Sequence, residues 1–319
     1  MTSLSSGFPQ SSAPLENRQP RIDMSTPHEI EIRSQVLVPV EELGDRLARK
    51  EEIVLLDVRL PEEGEDQDRT APYRAGHLPG AIHVDLPTEL AGKPGGFRGR
   101  QPLPEIEDLQ TNARRWGIKK SSAVVVYGNR RGTQAARGWW VLRWAGFSNV
   151  RLLDGGLPAW VDSGRPLSIE TPRPEPGNIV LSAGHLPVLD ADGAAALART
   201  GILLDARGIA QYQGSPAHAG KPLSGHIPGA LSAPTSENLT KNGRFADPKA
   251  LSERFAALGI ETEPKIPKAI GVYCGGGVAA AHEIAALASI GIEAALFPGS
   301  WSAWSSDPQR PAATGPERG

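Results

Sequence analysis

The stretch IVLLDVR at residues 53–59 returns as ILLDAR at residues 202–207, which places the two aspartates, Asp57 and Asp205, 148 residues apart. Each copy is a short run of Val, Ile and Leu that is apolar on both faces and ends in Asp-x-Arg. Such runs are typical of strands buried between two layers of helices in a parallel sheet. The stretch therefore predicts a central strand of an α/β domain, and its return predicts a second domain of the same kind.

Three further blocks return in the same order and at nearly the same spacing. They are GHLPGA at 76–81 and GHIPGA at 225–230, AVVVYG at 123–128 and AIGVYC at 269–274, and LLDGGLPAW at 152–160 and LFPGSWSAW at 296–304. A solenoid unit spans only a few tens of residues, so a repeat of this length indicates that a whole domain is duplicated.

Segments of helical period follow the strand-like runs. One covers residues 133–144 and is followed by Gly146, and its counterpart covers residues 278–289 and is followed by Gly291. Glycine is the usual stop signal after a helix, and strands that alternate with helices imply βαβ units. The predicted fold class is therefore α/β, with two domains that are each a doubly wound parallel sheet flanked by helices.

Composition divides the 319 residues into two domains with a linker and two tails. Residues 1–35 are rich in Ser, Pro and Gln, and residues 308–319 in Pro and Gly, so both are predicted to be flexible tails. Prolines that forbid a helix interior predict an extended linker over residues 166–182. The domains are predicted at residues 36–165 and 183–307.

The charge balance and the hydropathy pattern exclude several classes of partner. The chain has 34 Lys and Arg against 36 Asp and Glu, for a net charge of -2, so neither nucleic acid nor an acidic membrane surface is an expected partner. No apolar run is long enough to span a bilayer, and the N-terminus lacks the apolar core of a secretory signal. We therefore expect a cytoplasmic protein.

The chain has a single cysteine, Cys274. This count excludes a disulfide framework and any structural zinc site with two or more thiolates. The acidic segment at residues 62–68 has no His or Cys nearby, so we interpret it as a solvated loop and expect no metal. A lone cysteine is either a small buried apolar residue or a reactive group.

The residues around Cys274 favour the reactive alternative. Cys274 follows the strand-like run at 270–273 and precedes Gly275, Gly276 and Gly277, with a helix starting near Val278 or Ala279. Ligands bind at this carboxyl edge of a parallel sheet, and the N–H groups of a glycine-rich turn at a helix N-terminus stabilise an anion. The loop at residues 275–279 is therefore predicted to stabilise a thiolate and to leave its sulfur uncovered.

Other known thiolate chemistries fit less well. Cysteine phosphatases need an arginine six residues after the cysteine, where this chain has Ala280, and a dithiol oxidoreductase needs a second cysteine. The remaining chemistry is that of a thiolate that attacks a soft electrophile and is regenerated by a second substrate. The first copy has Gly128 in place of the cysteine, so it can only support or line the cleft. Its Arg130, Arg131 and Arg137 have two interpretations. They are either residues that attract an anionic substrate or solvated surface residues, and the second interpretation has at least as much support.

The repeated LLD-x-R, GH-[LI]-PGA and DGG-x-x-x-W-like blocks, together with Cys274, resemble the tandem-domain rhodaneses, which are thiosulfate and 3-mercaptopyruvate sulfurtransferases. The resemblance implies a non-catalytic first domain, a catalytic second domain, and a sulfane sulfur carried on Cys274 as a persulfide without a cofactor. It implies a small anionic sulfur donor and a cyanide or thiol acceptor, which includes a thioredoxin-like protein. The loop sequence CGGGVA is closer to the mercaptopyruvate type than to the thiosulfate type.

Several positions depart from the pattern of that family. Gly276 and Ala279 replace two hydroxyl residues of the mercaptopyruvate type, and Gln211 stands where the family has a donor-binding arginine. Lys221 is the candidate to compensate for that charge. Arg207 is either a nearby cation or half of a structural ion pair with Asp205, and His77 is either part of a proton relay or a turn histidine bonded to backbone. These departures keep open a second function, a non-enzymatic persulfide carrier or partner-docking protein.

Overall fold

Two parallel sheets, one in each half of the chain, form the framework of the protein. The computed structural model describes residues 26–61, 68–214, 224–262 and 268–319. The first sheet has the order β1-β5-β4-β2-β3, and all its neighbouring strands are parallel. Its strands are β1 Leu37–Val38, β2 Ile53–Asp57, β3 Ile82–His83, β4 Ala123–Tyr127 and β5 Val150–Leu153. The helices of this half are α1 Pro27–Ser34, α2 Val40–Ala48, α3 Ala71–Ala75, α4 Leu86–Glu89, a 3-10 turn Gly96–Arg98, α5 Ile106–Arg115, α6 Thr133–Trp144 and α7 Gly156–Asp162.

The second sheet repeats this arrangement with the order β7-β6-β8-β9. Its strands are β6 Ile202–Asp205, β7 Leu231–Ser232, β8 Ile270–Tyr273 and β9 Ala295–Leu296. Its helices are α8 Ala191–Thr200, α9 Ile209–Gln213, a 3-10 turn Thr235–Asn238, α10 Pro248–Ala257, α11 Ala279–Ala288 and α12 Ser300–Trp304. The predicted fold class is confirmed, since both sheets are parallel and have helices between their strands.

The two central strand pairs have the same register. Asp57 lies opposite Tyr127 in the first sheet, and Asp205 lies opposite Tyr273 in the second. The residues that follow the two tyrosines, Gly128 and Cys274, therefore lie at equivalent carboxyl ends of central strands.

The counterpart helices α6 and α11 pack against each other across the domain interface. Their apolar side chains belong to one core that runs through both domains and includes Trp139, Trp140, Ala281 and Leu287. Because the loops after β4 and β8 lead into these two helices, both loops lie beside the interface. Within the described part of the chain, no helix is long and apolar enough to cross a membrane.

Residues 26–35, the last part of the predicted N-terminal tail, are held by specific contacts. Of residues 1–35, the structure describes 26–35, and Pro27–Ser34 form a helix that begins with a capping box. Thr26 Oγ1 accepts from the backbone N–H of Glu29, and a Glu29 carboxylate oxygen accepts from the N–H of Thr26. Arg33 then donates to the carbonyl oxygens of Phe245 and Ala246 in the second domain. These capping and interdomain bonds order a segment whose composition alone predicted flexibility.

The C-terminal segment also differs from the predicted flexible tail. Trp304 Nε1 donates to Pro311 O at 2.9 Å, as Trp160 Nε1 donates to Pro166 O at 2.9 Å in the first domain. Ala313 forms an isolated antiparallel β-bridge with His226, and Ser168 forms the same kind of bridge with His77 in the first domain. The second copy of the repeat therefore extends past residue 307, and the start of the predicted linker belongs to the first copy.

Candidate active site

Cys274 is the first residue after β8 and is followed by the loop that leads into α11. The residue is only 2% exposed. Its Sγ accepts a hydrogen bond from the backbone N–H of Gly277 at 3.1 Å, and its own N–H donates to Ser300 Oγ at 3.1 Å. The loop thus places a backbone donor on the sulfur, which is the arrangement that favours a negatively charged sulfur.

Gly277 can only be glycine in this loop. Its φ is +83°, and a Cβ built there would lie 2.5 Å from Pro298 O. A left-handed backbone and a close approach to another chain segment both require the absence of a side chain. Gly277 therefore fixes the turn that directs its N–H toward Cys274.

Substitution of Gly277 by alanine is expected to reduce the free energy of unfolding by about 2 kcal/mol or more, because the strained φ and the contact with Pro298 act together. Thermal unfolding of the variant measures this loss. Gly276→Ala is the matched control for stability, since a Cβ there meets its nearest atom at 3.6 Å, an ordinary contact. Equal losses in the two variants would show that the turn at Gly277 is not under this constraint.

The turn that begins α12 forms hydrogen bonds to Cys274 and to the loop that follows it. Ser300 is a non-glycine residue with a φ of +53°, and its buried Oγ accepts from Cys274 N–H while it donates to Phe297 O at 2.8 Å. Trp301 N–H donates to Cys274 O at 2.9 Å, and Ser302 N–H donates to Gly275 O at 3.0 Å. Strained backbone of this kind persists where the surroundings determine it strongly, which is common at functional sites.

Arg100, from the first domain, lies over the glycines of the loop, and sequence reasoning missed it. Its Nη2 is 2.8 Å from the position of a Cβ on Gly275, and its backbone N–H donates to Ser302 Oγ at 3.0 Å. The prediction that the glycines leave the sulfur uncovered is wrong, because Cys274 is only 2% exposed. The basic stretch KPGGFRGR at 93–100 was the available signal.

Arg137 of α6 is the second cation that the first domain contributes. It is completely buried, and its Nη1 donates to Gly277 O at 3.3 Å. The interpretation of Arg137 as a surface residue is therefore wrong, since α6 packs on α11 and carries this side chain into the interface.

Arg207 forms a structural ion pair. Its guanidinium binds both carboxylate oxygens of the buried Asp205 and donates to Gly225 O at 2.7 Å. The same guanidinium lies over the rings of Tyr273 and Trp301, at 5.7 and 4.7 Å from their centroids. The pair therefore braces the strand end that precedes Cys274, and Asp57–Arg59 forms the same pair in the first domain.

The other predicted substrate residues do not converge on the sulfur. His77 is buried in the first domain, and its two ring nitrogens lie 2.9 and 3.0 Å from the carbonyl oxygens of Tyr73 and Glu170, as in a turn histidine. Gln211 lies exposed on α9. Lys221 falls outside the described residues. Among the described ranges, no hydrogen bond or ion pair joins His77, Arg207 or Gln211 to the loop at 275–279.

His282, two turns into α11, does not act on the sulfur either. Its ring is stacked on Phe245, and its Nδ1 lies 2.6 Å from Thr235 Oγ1. Burial lowers the pKa of His282 to about 3, so the ring is neutral at physiological pH.

Comparison with known proteins identifies the family. The model of the rhodanese-like domain matches residues 39–163 and 190–307. SseB of Mycobacterium tuberculosis, which carries the name of a thiosulfate sulfurtransferase, is 42% identical over 293 residues, covering 90% of this chain and 99% of that protein. A Pseudomonas aeruginosa protein that carries the name of a 3-mercaptopyruvate sulfurtransferase is 37% identical over 287 residues, covering 88% and 99%. The crystal structure of SseA from Escherichia coli, described as a 3-mercaptopyruvate sulfotransferase, matches with a TM-score of 0.71 at 27% identity, covering 83% of this chain and 98% of that chain.

The family resemblance predicted from the sequence is thereby confirmed. Both matched segments contain a complete copy of the strand-loop-helix unit, and only the second contains a cysteine. The chain belongs to the rhodanese-like family and carries two copies of its domain.

Proposed function

We propose that the protein is a sulfurtransferase in which Cys274 carries a sulfane sulfur between a small anionic donor and a nucleophilic acceptor. The observation that carries this proposal is the hydrogen bond from Gly277 N–H to Cys274 Sγ in a loop whose counterpart in the first domain has Gly128. Close relatives with sulfurtransferase names support the same activity.

The reaction has two steps. The Cys274 thiolate attacks the outer sulfur of the donor, so that an S–S bond forms on Sγ while the bond from that sulfur to the rest of the donor breaks. With thiosulfate as the donor, the leaving group is sulfite. With 3-mercaptopyruvate, the leaving group is an enolate, which takes up a proton to give pyruvate. In the second step the acceptor attacks the outer sulfur of the persulfide and releases the thiolate. Cyanide becomes thiocyanate, and a thiol becomes a persulfide.

The N–H of Gly277 stabilises the negative sulfur in both steps. A fixed backbone dipole needs no reorganisation when charge develops, which is why such donors are effective in a buried site. The loop uses no side-chain hydroxyl for this purpose, because Gly276 and Ala279 occupy the positions where the mercaptopyruvate type has hydroxyl residues.

Arg100 supplies the positive charge for the donor. Cys274 is almost fully covered, and the exposed Arg100 side chain lies over Gly275 and Gly276 of its loop, so this guanidinium is placed to meet a donor that approaches the sulfur. A donor whose anionic group pairs with the guanidinium would be held beside the sulfur. Thiosulfate and 3-mercaptopyruvate both carry such a group, and this pairing compensates for the uncharged Gln211.

The test of the function is mass spectrometry of the intact protein after incubation with thiosulfate or 3-mercaptopyruvate. The expected result is the addition of one sulfur atom at Cys274 and its loss on addition of cyanide. No added sulfur with either donor, in protein whose Cys274 still reacts with iodoacetamide, would contradict the proposal. Loading from a partner persulfide without repeated turnover on small donors would instead indicate the carrier function. A thioredoxin-like acceptor and a cytoplasmic location are further parts of the proposal.

Arg100→Gln is expected to lower kcat/KM for an anionic donor by about tenfold, mainly through KM, because a charge-assisted bond of about 1 to 3 kcal/mol is lost. Steady-state thiocyanate formation measures the change. Arg98→Gln removes the same charge two residues earlier and is the matched control for net charge. If both variants lose the same amount of kcat/KM, the effect comes from the overall positive charge of this segment and not from Arg100 itself.

A further inference from the structure

Arg137 is a completely buried arginine at the domain interface. Its Nη2 donates to Gln101 O and Pro102 O at 3.1 and 3.0 Å, and its Nη1 donates to Gly277 O at 3.3 Å. Two longer contacts reach Leu90 O. Within the ranges described, no Asp or Glu forms an ion pair with it. In the described part of the chain, the polar partners of Arg137 are thus all neutral carbonyl groups.

A buried cation without a counterion is costly, so one is expected nearby. Burial lowers the pKa of Arg137 to about 10, and the negative charge of Cys274 opposes that lowering. The guanidinium is therefore protonated at neutral pH, and Cys274 Sγ, across the domain interface, is the group that can carry the opposite charge.

Gly277 connects the two groups. Its carbonyl oxygen accepts from Arg137, and its N–H donates to Cys274 Sγ. Arg137 is therefore bonded to the same residue that donates to the sulfur. Burial of a thiol disfavours its anion, and a buried cation offsets that cost.

The other charged groups around Cys274 are placed differently. Arg100 is exposed, so solvent and salt screen its charge. Arg207 is neutralised by Asp205 beside Tyr273. On α11, Glu283 is paired with Arg254, and His282 faces Thr235. The groups of α12 that reach the loop are neutral, namely the Ser300 hydroxyl and the backbone N–H groups of Trp301 and Ser302.

We propose that Arg137, a residue of the domain that lacks the cysteine, is a positioning residue for the sulfur nucleophile. Its buried guanidinium holds Gly277 by the carbonyl oxygen and stabilises the anionic form of Cys274. The same charge stabilises the outer sulfur of the persulfide, and this last part rests on the proposed function.

The single cysteine makes the test specific, because iodoacetamide alkylation of the folded protein reports Cys274 alone. Alkylation rates are measured against pH for the unchanged protein, Arg137→Gln, Arg137→Lys and Arg143→Gln. Arg137→Gln is expected to alkylate about tenfold more slowly at neutral pH, and the difference should vanish at high pH, where the thiol is ionised in both proteins. Arg137→Lys keeps the charge and should recover most of the rate.

Arg143→Gln is the matched control, since Arg143 lies on the same helix but packs over Trp139, 5.2 Å from the ring centroid. It should leave the pH profile unchanged. An unchanged profile for folded Arg137→Gln, or an equal loss in Arg143→Gln, would overturn the proposal. If Arg137→Gln does not fold, Arg137→Lys decides alone, because a rate more than about tenfold below that of the unchanged protein would exclude the charge as the cause.

These measurements need no sulfur donor. If neither donor loads the unchanged protein, the proposed function fails while the alkylation profiles still decide the role of Arg137. If loading succeeds and the profiles do not depend on Arg137, only the present proposal fails.

Discussion

Replacement of Cys274 by serine is expected to abolish sulfur transfer, with kcat for thiocyanate formation reduced by at least about 10³-fold. The chain has no other cysteine that could take over. A serine hydroxyl at this position is uncharged at neutral pH and cannot form a persulfide, so the first step loses its nucleophile and the second step has no bound sulfur for the acceptor to attack. The measurement is steady-state turnover with either donor and cyanide as acceptor.

The stability of the serine variant is the control for this experiment. Serine is close to cysteine in size and accepts the same hydrogen bond from Gly277, so its melting temperature is expected to stay near that of the unchanged protein. Turnover above about one-hundredth of the original rate in a folded Cys274→Ser protein would mean that the transfer does not pass through this residue.

Asp205→Ala is expected to lower the free energy of unfolding by about 3 to 5 kcal/mol, because it leaves the buried guanidinium of Arg207 without a counterion. Asp205 is fully buried, and both of its carboxylate oxygens accept from Arg207. At about 2 to 4 °C per kcal/mol for a protein of this size, thermal unfolding should shift down by roughly 10 °C.

The duplication provides a matched control in Asp57→Ala. Asp57 is equally buried and binds Arg59 and the Tyr127 hydroxyl in the same geometry. Both variants should lose similar stability, but only Asp205→Ala should also lose activity well below its melting temperature, since Arg207 packs over Tyr273 next to Cys274. Equal activity in the two variants would show that the ion pair does not brace the catalytic loop.

The sequence predicted features that depend on local pattern. The period of residues 133–144 predicted a helix that the structure places at Thr133–Trp144, and the apolar run at 270–273 predicted the strand Ile270–Tyr273. Cys274 was predicted at the end of that strand because strand, glycine loop and helix are contiguous in the chain. These features are set by the neighbouring residues, so a single sequence contains them.

The features that the sequence did not predict arise from contacts between distant segments. Arg137 belongs to a helix whose partner surface, α11, lies about 140 residues away in the chain, so the helical period alone could not show that its guanidinium is buried. Arg100 lies on a glycine-rich loop without periodicity, and its position over Gly275 depends on the packing of two domains.

One missed feature did have a signal. Arg165-Pro166 returns as Arg310-Pro311 at nearly the spacing of the other repeats. Each arginine lies over the tryptophan of its own domain, and each proline carbonyl accepts from that tryptophan. The pair is short and lies in Pro-rich segments, so composition predicted a linker and a tail where the structure has two equivalent ends of a repeated domain.

The packing of α6 on α11 has an evolutionary consequence for a duplicated enzyme. A domain copy without a nucleophile ordinarily tolerates substitutions, since they do not affect the reaction. Here the copy with Gly128 contributes Arg100 and Arg137 to the loop of its neighbour, so selection on sulfur chemistry reaches residues in a domain that has no sulfur. The two copies must then be inherited and must evolve as one enzyme, and the catalytic half is not expected to survive as an active enzyme by itself.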